Sequence, residues 1–247
     1  LWESNGVDTT NVIIDEESPT GMYFVSFNGE RHEFDYRRKD AAARKFGPAD
    51  AEKISFEGVK IFHLSGISQA ISRECLEASF VLIKRARALG AKISYDLNYR
   101  GKLWSSELAR AVYLKTITDF ADIVSFNEEE MEILSLQGSP VEAVMEVMNM
   151  GPGIVAFRRG SQGAILGTNE GIFEGKAKKV KVADTVGAGD AFTASLLCCN
   201  LENTGTQETL EFALRAAALT CTATGSTEGQ PTRKQVMDFS GGNPVTQ

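Results

Sequence analysis

Residues 184–192 read DTVGAGDAF and lie between a β-branched run and an apolar pattern of helical period. The pattern predicts a helix whose first turn contains Asp190, preceded by a loop of Gly187, Ala188 and Gly189. The backbone N–H groups of these small residues would point together at the positive end of the helix, where they form an anion hole. A carboxylate beside such a hole can take the proton of an attacking hydroxyl group. We therefore predict phosphoryl transfer, with Asp190 as the catalytic base.

A plainer interpretation of this segment is a tight turn in which Asp190 is the N-cap of the helix. Two other phosphate-binding motifs do not fit the sequence. A dinucleotide-binding G-x-G-x-x-G would need a third glycine where Phe192 stands. A Walker loop needs Ser or Thr after Gly-Lys, whereas the chain has Leu103 and Ala177 in those places. The segment thus predicts neither an NAD-type dehydrogenase nor a P-loop NTPase.

The composition limits the class of partner. The 247 residues carry 26 Lys and Arg against 33 Asp and Glu, a net charge of -7, with no basic patch of the kind that binds nucleic acid. No apolar run has the roughly 20 residues that a membrane helix needs, so neither a nucleic acid nor a membrane is an expected partner. The cysteines form no C-x-x-C pair, which predicts buried reduced thiols and no zinc site. A cytoplasmic protein with small-molecule ligands is expected.

The elements that must position these residues follow from the hydrophobic periodicity. From about residue 58 onward, short β-branched runs alternate with longer amphipathic ones, as in βαβ units around a buried parallel sheet. Strands are predicted at 59–65, 92–96, 121–126, 153–158, 162–167, 170–174 and 178–183. Helices are predicted at 69–90, 105–119, 127–136, 139–150, 189–201, 207–224 and 231–240. The fold class is therefore α/β, with a mostly parallel sheet flanked by helices on both faces.

The first 40 residues differ from the rest. Three short alternating runs, the first at 11–17, are separated by Pro, by Gly and by the hairpin signal Asn28-Gly29. These runs predict a small β lid. The predicted domains are a lid of residues 10–40 and an α/β domain of residues 1–9 and 41–247.

Two features of this end of the chain bear on its assembly. The apolar residues Met22, Phe24 and Phe27 would lie on edge strands in water unless something covers them, which predicts a homodimer through the lids. The chain opens with LWESNGVDTT, which reads as a sequence entered midway. We therefore expect that the first strands of the α/β domain precede residue 1.

DTVGAGDAF resembles the second signature of the ribokinase-like (pfkB) carbohydrate kinases, D-T-x-G-A-G-D-x-F, at every fixed position. The similarity covers nearly the whole chain, because VKIFHLSG, DLNYRGKLW, SFNEEEMEIL and AFRRGSQGA follow in the family's order. The resemblance implies a ribokinase-like fold, a sugar and ATP as substrates, and Mg2+; it leaves open whether a monovalent cation assists. It also implies that Asp190 is the base and that Asp184 lies near the Mg–nucleotide phosphates. The family's first signature, G-G-x-x-x-N, is not in the chain.

The resemblance assigns further residues to the nucleotide side. Asn127 and Glu130 in SFNEEE fall where the family places its Mg–nucleotide site, with Glu130 and Asp184 reaching the metal through water. A helix-capping box of Asn127 and Glu130 is the alternative interpretation. Arg158 and Gly160 resemble the family's K-x-G strand end near the nucleotide phosphates, and a solvated charge before a hairpin is the alternative there.

The resemblance also indicates the sugar. YDLNYRGKLW is similar to the D-x-N-x-R…W segment of 2-keto-3-deoxygluconate kinases and of some fructokinases. The lid resembles that of the 2-keto-3-deoxygluconate kinases, in which a Tyr and an Arg meet the sugar acid; these positions are Tyr23 and Arg37. A planar guanidinium can donate two parallel hydrogen bonds to a carboxylate, which suits Arg37 and Arg100. Arg38 competes with Arg37, because strand alternation puts the two on opposite faces.

Together these residues predict an ATP-dependent kinase that phosphorylates the terminal hydroxyl of a sugar acid, 2-keto-3-deoxygluconate, to its 6-phosphate. One alternative is a fructokinase or a ribokinase-type kinase of a neutral sugar. Another is a regulator that binds sugar or nucleotide on the same fold without catalysis, since a fold alone does not imply activity.

Overall fold

The computed structural model of the chain describes residues 1–28 and 31–239. Within these residues the chain divides into two compact units. The first unit comprises Leu1–Val59 and Ile67–Ala91, and the second comprises Lys60–Gly66 and the chain from Lys92 onward. The predicted boundaries of the lid and of the α/β domain stay a prediction. The helices in the described part of the chain are all too short or too polar to cross a bilayer.

The first unit contains a β-hairpin. Strand β1 (Met22–Asn28) pairs antiparallel with strand β2 (Arg31–Arg37), in a register that sets Tyr23 opposite Tyr36. The two predicted strands of the lid are therefore present, and the residues that join them lie outside the described part. The predicted strand at 11–17 is wrong: this segment is irregular, and Ile14 is 82% exposed. Its apolar alternation has no neighbouring strand to pair with among the described residues, and a strand without a partner leaves its backbone groups unsatisfied.

Helices complete the first unit. Helix α1 (Pro48–Ala51) is short, and the predicted helix over 69–90 proves to be two helices, α2 (Gly66–Ala70) and α3 (Arg73–Ala88). The break has a local cause, because Ser72 is the N-cap of α3 and its side chain accepts a hydrogen bond from the Cys75 N–H at 3.0 Å.

The second unit is built on a six-stranded sheet in the order β3-β4-β5-β6-β7-β8. The first four strands run parallel, and the last two are antiparallel additions at one edge. The predicted mostly parallel sheet is therefore confirmed. The strands are β3 (Ile61–Ser65), β4 (Lys92–Asp96), β5 (Ile123–Asn127), β6 (Ile154–Arg158), β7 (Ala164–Thr168) and β8 (Gly171–Gly175).

Helices cover both faces of this sheet. The described helices of the unit are α4 (Ser106–Asp119), α5 (Glu128–Leu134), α6 (Pro140–Asn149), α7 (Ala188–Leu201), α8 (Thr206–Thr220) and α9 (Arg233–Asp238). On one face, Phe192 and Leu196 of α7 join Ile123 and Leu166 of the strands in a buried apolar cluster. On the other face, α6 packs on Gly167, whose absent side chain leaves room for Val144 and Met148.

One predicted strand of this unit is wrong. Residues 178–183 form no strand, although Val180 and Val182 alternate with lysines as an edge strand would. Val182 is 59% exposed, and Ala183 makes a single backbone hydrogen bond to the Cys221 carbonyl at 2.8 Å. The alternation of valine and lysine does not by itself make a strand, because a strand needs a neighbouring strand in the right register. The segment instead leads as an irregular connection into the glycine loop at 187–189.

Candidate functional site

A row of polar side chains crosses the sheet of the second unit at the carboxyl ends of its parallel strands. Asp96 ends β4 and lies in register with Ser125 of β5, while Arg158 ends β6 in register with Asn127. Asp96 is 2% exposed, and its Oδ2 accepts a hydrogen bond from Thr193 Oγ1 of α7 at 3.2 Å. Open α/β sheets bind their ligands at this edge. The row therefore lies where a ligand is expected, beneath the beginning of α7.

The start of α7 differs from an ordinary capped helix. Its N-cap is Gly187, with φ 84°, and no side chain caps the helix. Asp190 is the third residue inside the helix, so the interpretation of Asp190 as the N-cap is wrong. The Ala188 N–H lies 3.3 Å from the Thr185 carbonyl, whereas the N–H groups of Gly187 and Gly189 have no acceptor among the described residues. Together with the N–H of Asp190, which also has no backbone acceptor among the described residues, these donors stand open at the positive end of a 14-residue helix.

Both glycines of this loop lie close against their surroundings. A Cβ on residue 187 would lie 2.8 Å from Gln230 Nε2 and 2.9 Å from the Ser226 carbonyl oxygen, and the positive φ disfavours a side chain as well. A Cβ on residue 189 would lie 2.6 Å from Arg158 Nη1. The glycines thus allow the helix start to approach a neighbouring loop on one side and an arginine on the other.

The Asp190 carboxyl reaches solvent but stands in a dense, charged environment. Burial raises the pKa of Asp190, and nearby Asp96 acts in the same direction. Arg158, His63 and Arg100 oppose this shift. The residue is therefore accessible to water although protein surrounds much of its carboxyl group. A carboxylate with a raised pKa is better suited to accept a proton near neutral pH.

Arg158 is held at the centre of the site. Its Nη2 donates a hydrogen bond to Asp96 Oδ1 at 2.7 Å and lies 3.8 Å from Glu130 Oε2. Its side chain is only 17% exposed, so it is not a solvated charge before a hairpin. Gly160 follows in a short 3-10 turn with φ 52°, close in sequence but without a side chain to contribute.

Asn127 and Glu130 form the capping box of α5. Asn127 Oδ1 accepts the Glu130 N–H at 3.0 Å, and Glu130 Oε2 accepts the Asn127 N–H at 2.9 Å. The capping interpretation is therefore confirmed, and a role of either residue beside a nucleotide stays a prediction. Glu130 is 1% exposed, and burial raises its pKa to about 7 although Arg158 opposes the shift.

Asp184 is buried and ties two loops together. Its Oδ1 accepts the Val186 N–H at 3.0 Å, and its Oδ2 accepts the Gly225 N–H at 3.1 Å. The described residues contain no cluster of three His, Cys, Asp or Glu side chains that could hold a metal ion. Mg2+ is commonly held by one or two carboxylates together with water and substrate phosphates. Each carboxylate oxygen of Asp184 and Glu130 already accepts a backbone N–H group. That these two residues hold the metal ion through water stays a prediction.

Arg100 belongs to the same group of charges. It is half-buried, its Nη1 donates to the Tyr99 carbonyl at 2.7 Å, and it lies close enough to Asp190 to lower the pKa of that carboxyl. The turn that carries it contains Asn98, whose φ is 41° and whose Nδ2 donates to Ser65 Oγ at 3.0 Å. The structure thus brings Arg100, Arg158 and Asp190 together, as their separate motifs predict.

The predicted lid residues belong to the first unit. Because Tyr23 pairs with Tyr36 and Met22 with Arg37, strand alternation places Tyr23 and Arg37 on opposite faces of the hairpin. Arg37 Nη2 lies 3.2 Å from Asp35 Oδ2 on the surface, whereas the Arg38 guanidinium lies 5.9 Å from the centre of the Tyr23 ring. Arg38, the competing candidate, therefore shares the face of Tyr23. The role of each arginine stays a prediction.

Two residues of the site were not predicted from the sequence. Thr193 contacts Asp96 from α7, and His63 of β3 has its Nδ1 3.0 Å from Ser94 Oγ. Burial lowers the pKa of His63, while Asp96 and Asp190 oppose the shift. The period of two along β3 and β4 was the signal that could have found His63, since register sets it beside Ser94, two residues before Asp96.

Known proteins resemble this chain over most of its length. Residues 1–233 match the pfkB family of carbohydrate kinases. The chain is 30% identical to the 2-dehydro-3-deoxygluconokinase of Bacillus subtilis over 244 residues, which are 96% of this chain and 74% of that protein. It is also 30% identical to the probable fructokinase-7 of Arabidopsis thaliana over 248 residues, 95% of this chain and 71% of that protein.

Solved structures share the fold. The fructokinase of Vibrio cholerae O395 with fructose, ADP and calcium has a TM-score of 0.83 and 25% identity, covering 96% of this chain and 79% of its own. A putative ribokinase II from E. coli in complex with ATP and Mg2+ has a TM-score of 0.80 and 25% identity, and the match covers 89% of this chain and 70% of that protein. The family match and these structural similarities agree with the family that the glycine loop and Asp190 indicate. The chain therefore belongs to the pfkB family of carbohydrate kinases and has the ribokinase-like fold.

Proposed function

We propose that this sugar kinase transfers the γ-phosphoryl group of ATP to the terminal hydroxyl of a sugar acid, 2-keto-3-deoxygluconate. The observation that carries the proposal is the start of α7, where the Asp190 carboxyl, open backbone donors and the cations Arg158 and Arg100 stand together. A hydroxyl group that attacks there has a base to accept its proton. The phosphoryl group that it attacks has donors and cations to stabilise its charge.

Asp190 is the proposed catalytic base. Its carboxyl makes no capping hydrogen bond, so it remains available to a ligand, and its raised pKa suits a proton acceptor at neutral pH. The N–H groups of Gly187 and Gly189 face the charge that develops on the phosphoryl oxygens. Preorganised donors of this kind need no rearrangement during the reaction.

Arg158, Asn127 and Gly160 are the proposed nucleotide-side residues. Arg158 supplies a half-buried guanidinium against the helix start, and a guanidinium matches phosphate geometry with paired donors. Mg2+, when bound with the nucleotide, would neutralise phosphate charge, and Asp184 and Glu130 are the residues proposed to hold it through water. The E. coli putative ribokinase II of similar fold binds ATP and Mg2+.

A sugar acid is proposed as the substrate because its carboxylate would give a binding partner to Arg100, the second arginine near Asp190. Arg158 is already paired with Asp96 and lies near Glu130, whereas Arg100 donates only to the Tyr99 carbonyl among the contacts of the described residues. Arg100 can therefore bind a substrate carboxylate with donors that no protein carboxylate occupies. Two 2-dehydro-3-deoxygluconokinases, from Bacillus subtilis and Thermoproteus tenax, are 30% and 28% identical to this chain. In the lid, Tyr23 and one of Arg37 or Arg38 are the proposed partners of the same substrate.

Fructose is the second candidate substrate. Plant fructokinases, such as fructokinase-1 of Oryza sativa, are as similar to this chain at 30% identity, and the Vibrio cholerae fructokinase shares its fold. A neutral sugar gives the arginines no carboxylate to bind. The two candidates therefore differ in how strongly the reaction should depend on Arg100.

A coupled kinase assay separates these candidates. The protein is assayed with ATP and Mg2+ against 2-keto-3-deoxygluconate, fructose and ribose, and Arg100→Ala is compared with Arg110→Ala, a substitution outside the site. We expect the largest kcat/KM for the sugar acid and a loss of about 10- to 100-fold in the Arg100 variant, as for a charged hydrogen bond worth about 1.5–3 kcal/mol. A larger kcat/KM for fructose or ribose, unaffected by Arg100→Ala, would refute the sugar acid.

A further inference from the structure

The glycine loop is tied to a second loop, at residues 222–230, which joins α8 to α9 without helix or strand. Gln230 makes one of the ties, because its Nε2 donates to the Gly187 carbonyl at 3.3 Å and to the Ser226 carbonyl at 3.2 Å. Asp184 makes the other, through the two backbone N–H groups that it accepts. Among the described residues, no backbone hydrogen bond joins the glycine loop to this second loop. Side chains therefore decide how the two loops are held together.

The chemistry of the Gln230 amide fits this position in one orientation. Its NH2 group has two donors, one for each carbonyl oxygen, and a carbonyl oxygen has lone pairs for two donors. The Gly187 carbonyl can therefore accept Gln230 while it also accepts the Ala191 N–H at 2.9 Å, the first backbone bond of α7. The opposite orientation would place the amide oxygen against two carbonyl oxygens. A side chain that donates is thus required, and one that only accepts would be repelled by both carbonyls.

The contact restrains the peptide group between Gly187 and Ala188. This group is planar, so a restraint on its carbonyl also restrains the Ala188 N–H. Gly187 has φ 84° and no side chain, which makes its backbone the freest to rotate. Gln230 takes the place of that side chain, because its Nε2 lies 2.8 Å from the position of a Cβ on residue 187. The open N–H groups of Gly187 and Gly189 belong to the two neighbouring peptide groups, so their directions depend on this one.

A glutamine that only satisfies a nearby carbonyl looks different in the same chain. Gln137 is exposed like Gln230, and its Nε2 donates at the same distance, 3.3 Å, to the carbonyl of Ser135, two residues before it. Gln230 instead reaches a carbonyl 43 residues away and a second one in its own loop. Its contacts hold two segments together, whereas that of Gln137 orders one turn.

Asp184 does not replace this restraint. It is buried and accepts the N–H groups of Val186 and Gly225, so it holds the chain that leads into the glycine loop. Gln230 acts on the carbonyl of the N-cap of α7, at the other end of that loop. One end is therefore held by a buried carboxylate and the other by an exposed amide. The exposed amide can be substituted without opening the core.

Resting on the proposed function above, we propose that Gln230 is a positioning residue of the anion hole, whose amide group sets the direction of the open N–H groups at the start of α7. These donors stabilise the charge that develops on the phosphoryl group during transfer. Loss of the amide should therefore lower kcat more than it weakens the binding of either substrate. A residue that served only stability would change the unfolding temperature and leave kcat unaltered.

The kinetic test compares Gln230→Met and Gln230→Glu with the same substitutions at Gln137, using the sugar that the wild-type protein phosphorylates best. Met keeps the volume of the side chain and its packing on Gly187 but cannot donate, whereas Glu sets a carboxylate against both carbonyls. Removing one donor of an oxyanion hole costs about 10²–10³-fold in kcat, so misdirected donors should cost about tenfold in Gln230→Met and more in Gln230→Glu.

Binding provides the comparison for these kcat values. We expect Kd for ATP and KM for the sugar in Gln230→Met within about threefold of wild type, since interactions made mainly in the transition state affect kcat. Both Gln137 variants should match wild type. Wild-type kcat in Gln230→Met would show that packing alone suffices and would overturn the inference, as would equal losses of kcat and of affinity for ATP.

A second measurement does not depend on activity. Hydrogen–deuterium exchange of a peptide that covers residues 184–192 reports how firmly the glycine loop is held, because amides exchange through local opening. Exchange should be faster in both Gln230 variants than in wild type, and the Gln137 variants should match wild type. Equal exchange in all these proteins would overturn the inference. A wild-type protein that phosphorylates none of the three sugars would instead refute the proposed function, and the exchange would still decide whether Gln230 holds the loop.

Discussion

Arg158 occupies the space that a side chain at residue 189 would need. Its Nη1 lies 2.6 Å from the position of a Cβ on Gly189, while its Nη2 is held by Asp96 at 2.7 Å. The contact with Asp96 therefore restrains the guanidinium beside the helix. The glycine of the loop and the arginine of a distant strand thus depend on each other.

Gly189→Ala should disrupt this contact. The added methyl group must displace the guanidinium, and we expect kcat to fall at least about tenfold, since displaced catalytic donors have costs of this size. The matched control is Gly205→Ala at the N-cap of α8, where a Cβ meets nothing within 4 Å. Steady-state kinetics and thermal unfolding of both variants provide the measurement. Equal kcat in the two variants would show that Arg158 does not need its observed position.

Asp190→Asn should abolish turnover and leave the fold intact. The amide keeps the shape of the side chain but cannot accept a proton, and general-base catalysis contributes about 10²–10⁴-fold. We expect a loss of this size or more in kcat, with Kd for ATP nearly unchanged. Asp238→Asn, on the exposed end of α9, is the control. Near-normal turnover in Asp190→Asn would rule out Asp190 as the base.

Substitution of the two arginines at the end of β2 should have different effects on KM for the sugar acid. Arg38 shares the face of Tyr23, whereas Arg37 lies on the opposite face beside Asp35. If Tyr23 meets the substrate, Arg38→Ala should raise KM for the sugar acid about tenfold, the value of one charged hydrogen bond of about 1.5 kcal/mol. Arg37→Ala should have a smaller effect. The reverse order in the measured KM values would assign the role to Arg37.

Stability should fall as pH rises because of Glu130. Its folded pKa, about 7, is raised from 4.5, so its contribution is fully present below pH 4.5 and is lost as pH rises through 7. The loss is on the order of 3 kcal/mol, from about 1.4 kcal/mol per pH unit between the two values. Denaturant unfolding of wild type and Glu130→Gln at pH 5 and pH 8 isolates this contribution as a difference. Parallel curves for the two proteins would contradict it, and Glu129→Gln should follow wild type.

The lid should mediate dimerisation. Met22 and Phe24 are 54% and 56% exposed on β1, and an edge strand with apolar side chains is an association surface. Phe24→Asp should therefore shift the protein from dimer to monomer in sedimentation velocity. Leu108→Asp on α4, at a residue that is 49% exposed, should leave the dimer unchanged. A wild-type protein that sediments only as a monomer would contradict this prediction.

Local sequence patterns were sufficient to predict most of the helices and strands. Glycine and small residues before an apolar helix predicted the start of α7. The predicted starts of α4 and α6, at 105 and 139, coincide with Ser105 and Ser139, whose side chains cap these helices. The strand at 178–183 shows the limit of such signals. A strand requires a neighbour in register, and no local pattern contains that information.

The sequence by itself determined the glycine loop, the aspartate behind it and the order of the motifs, because each depends on residues within one turn or one strand end. Only the tertiary structure decided that Arg158 pairs with Asp96, that Glu130 accepts the N–H of Tyr99, and that His63 lies near Asp190. These contacts join residues 30 to 130 positions apart, and their geometry is set by strand register and helix packing. Propensity and spacing act over a few residues, so they can name the charged groups of this site but cannot say which of them share a partner.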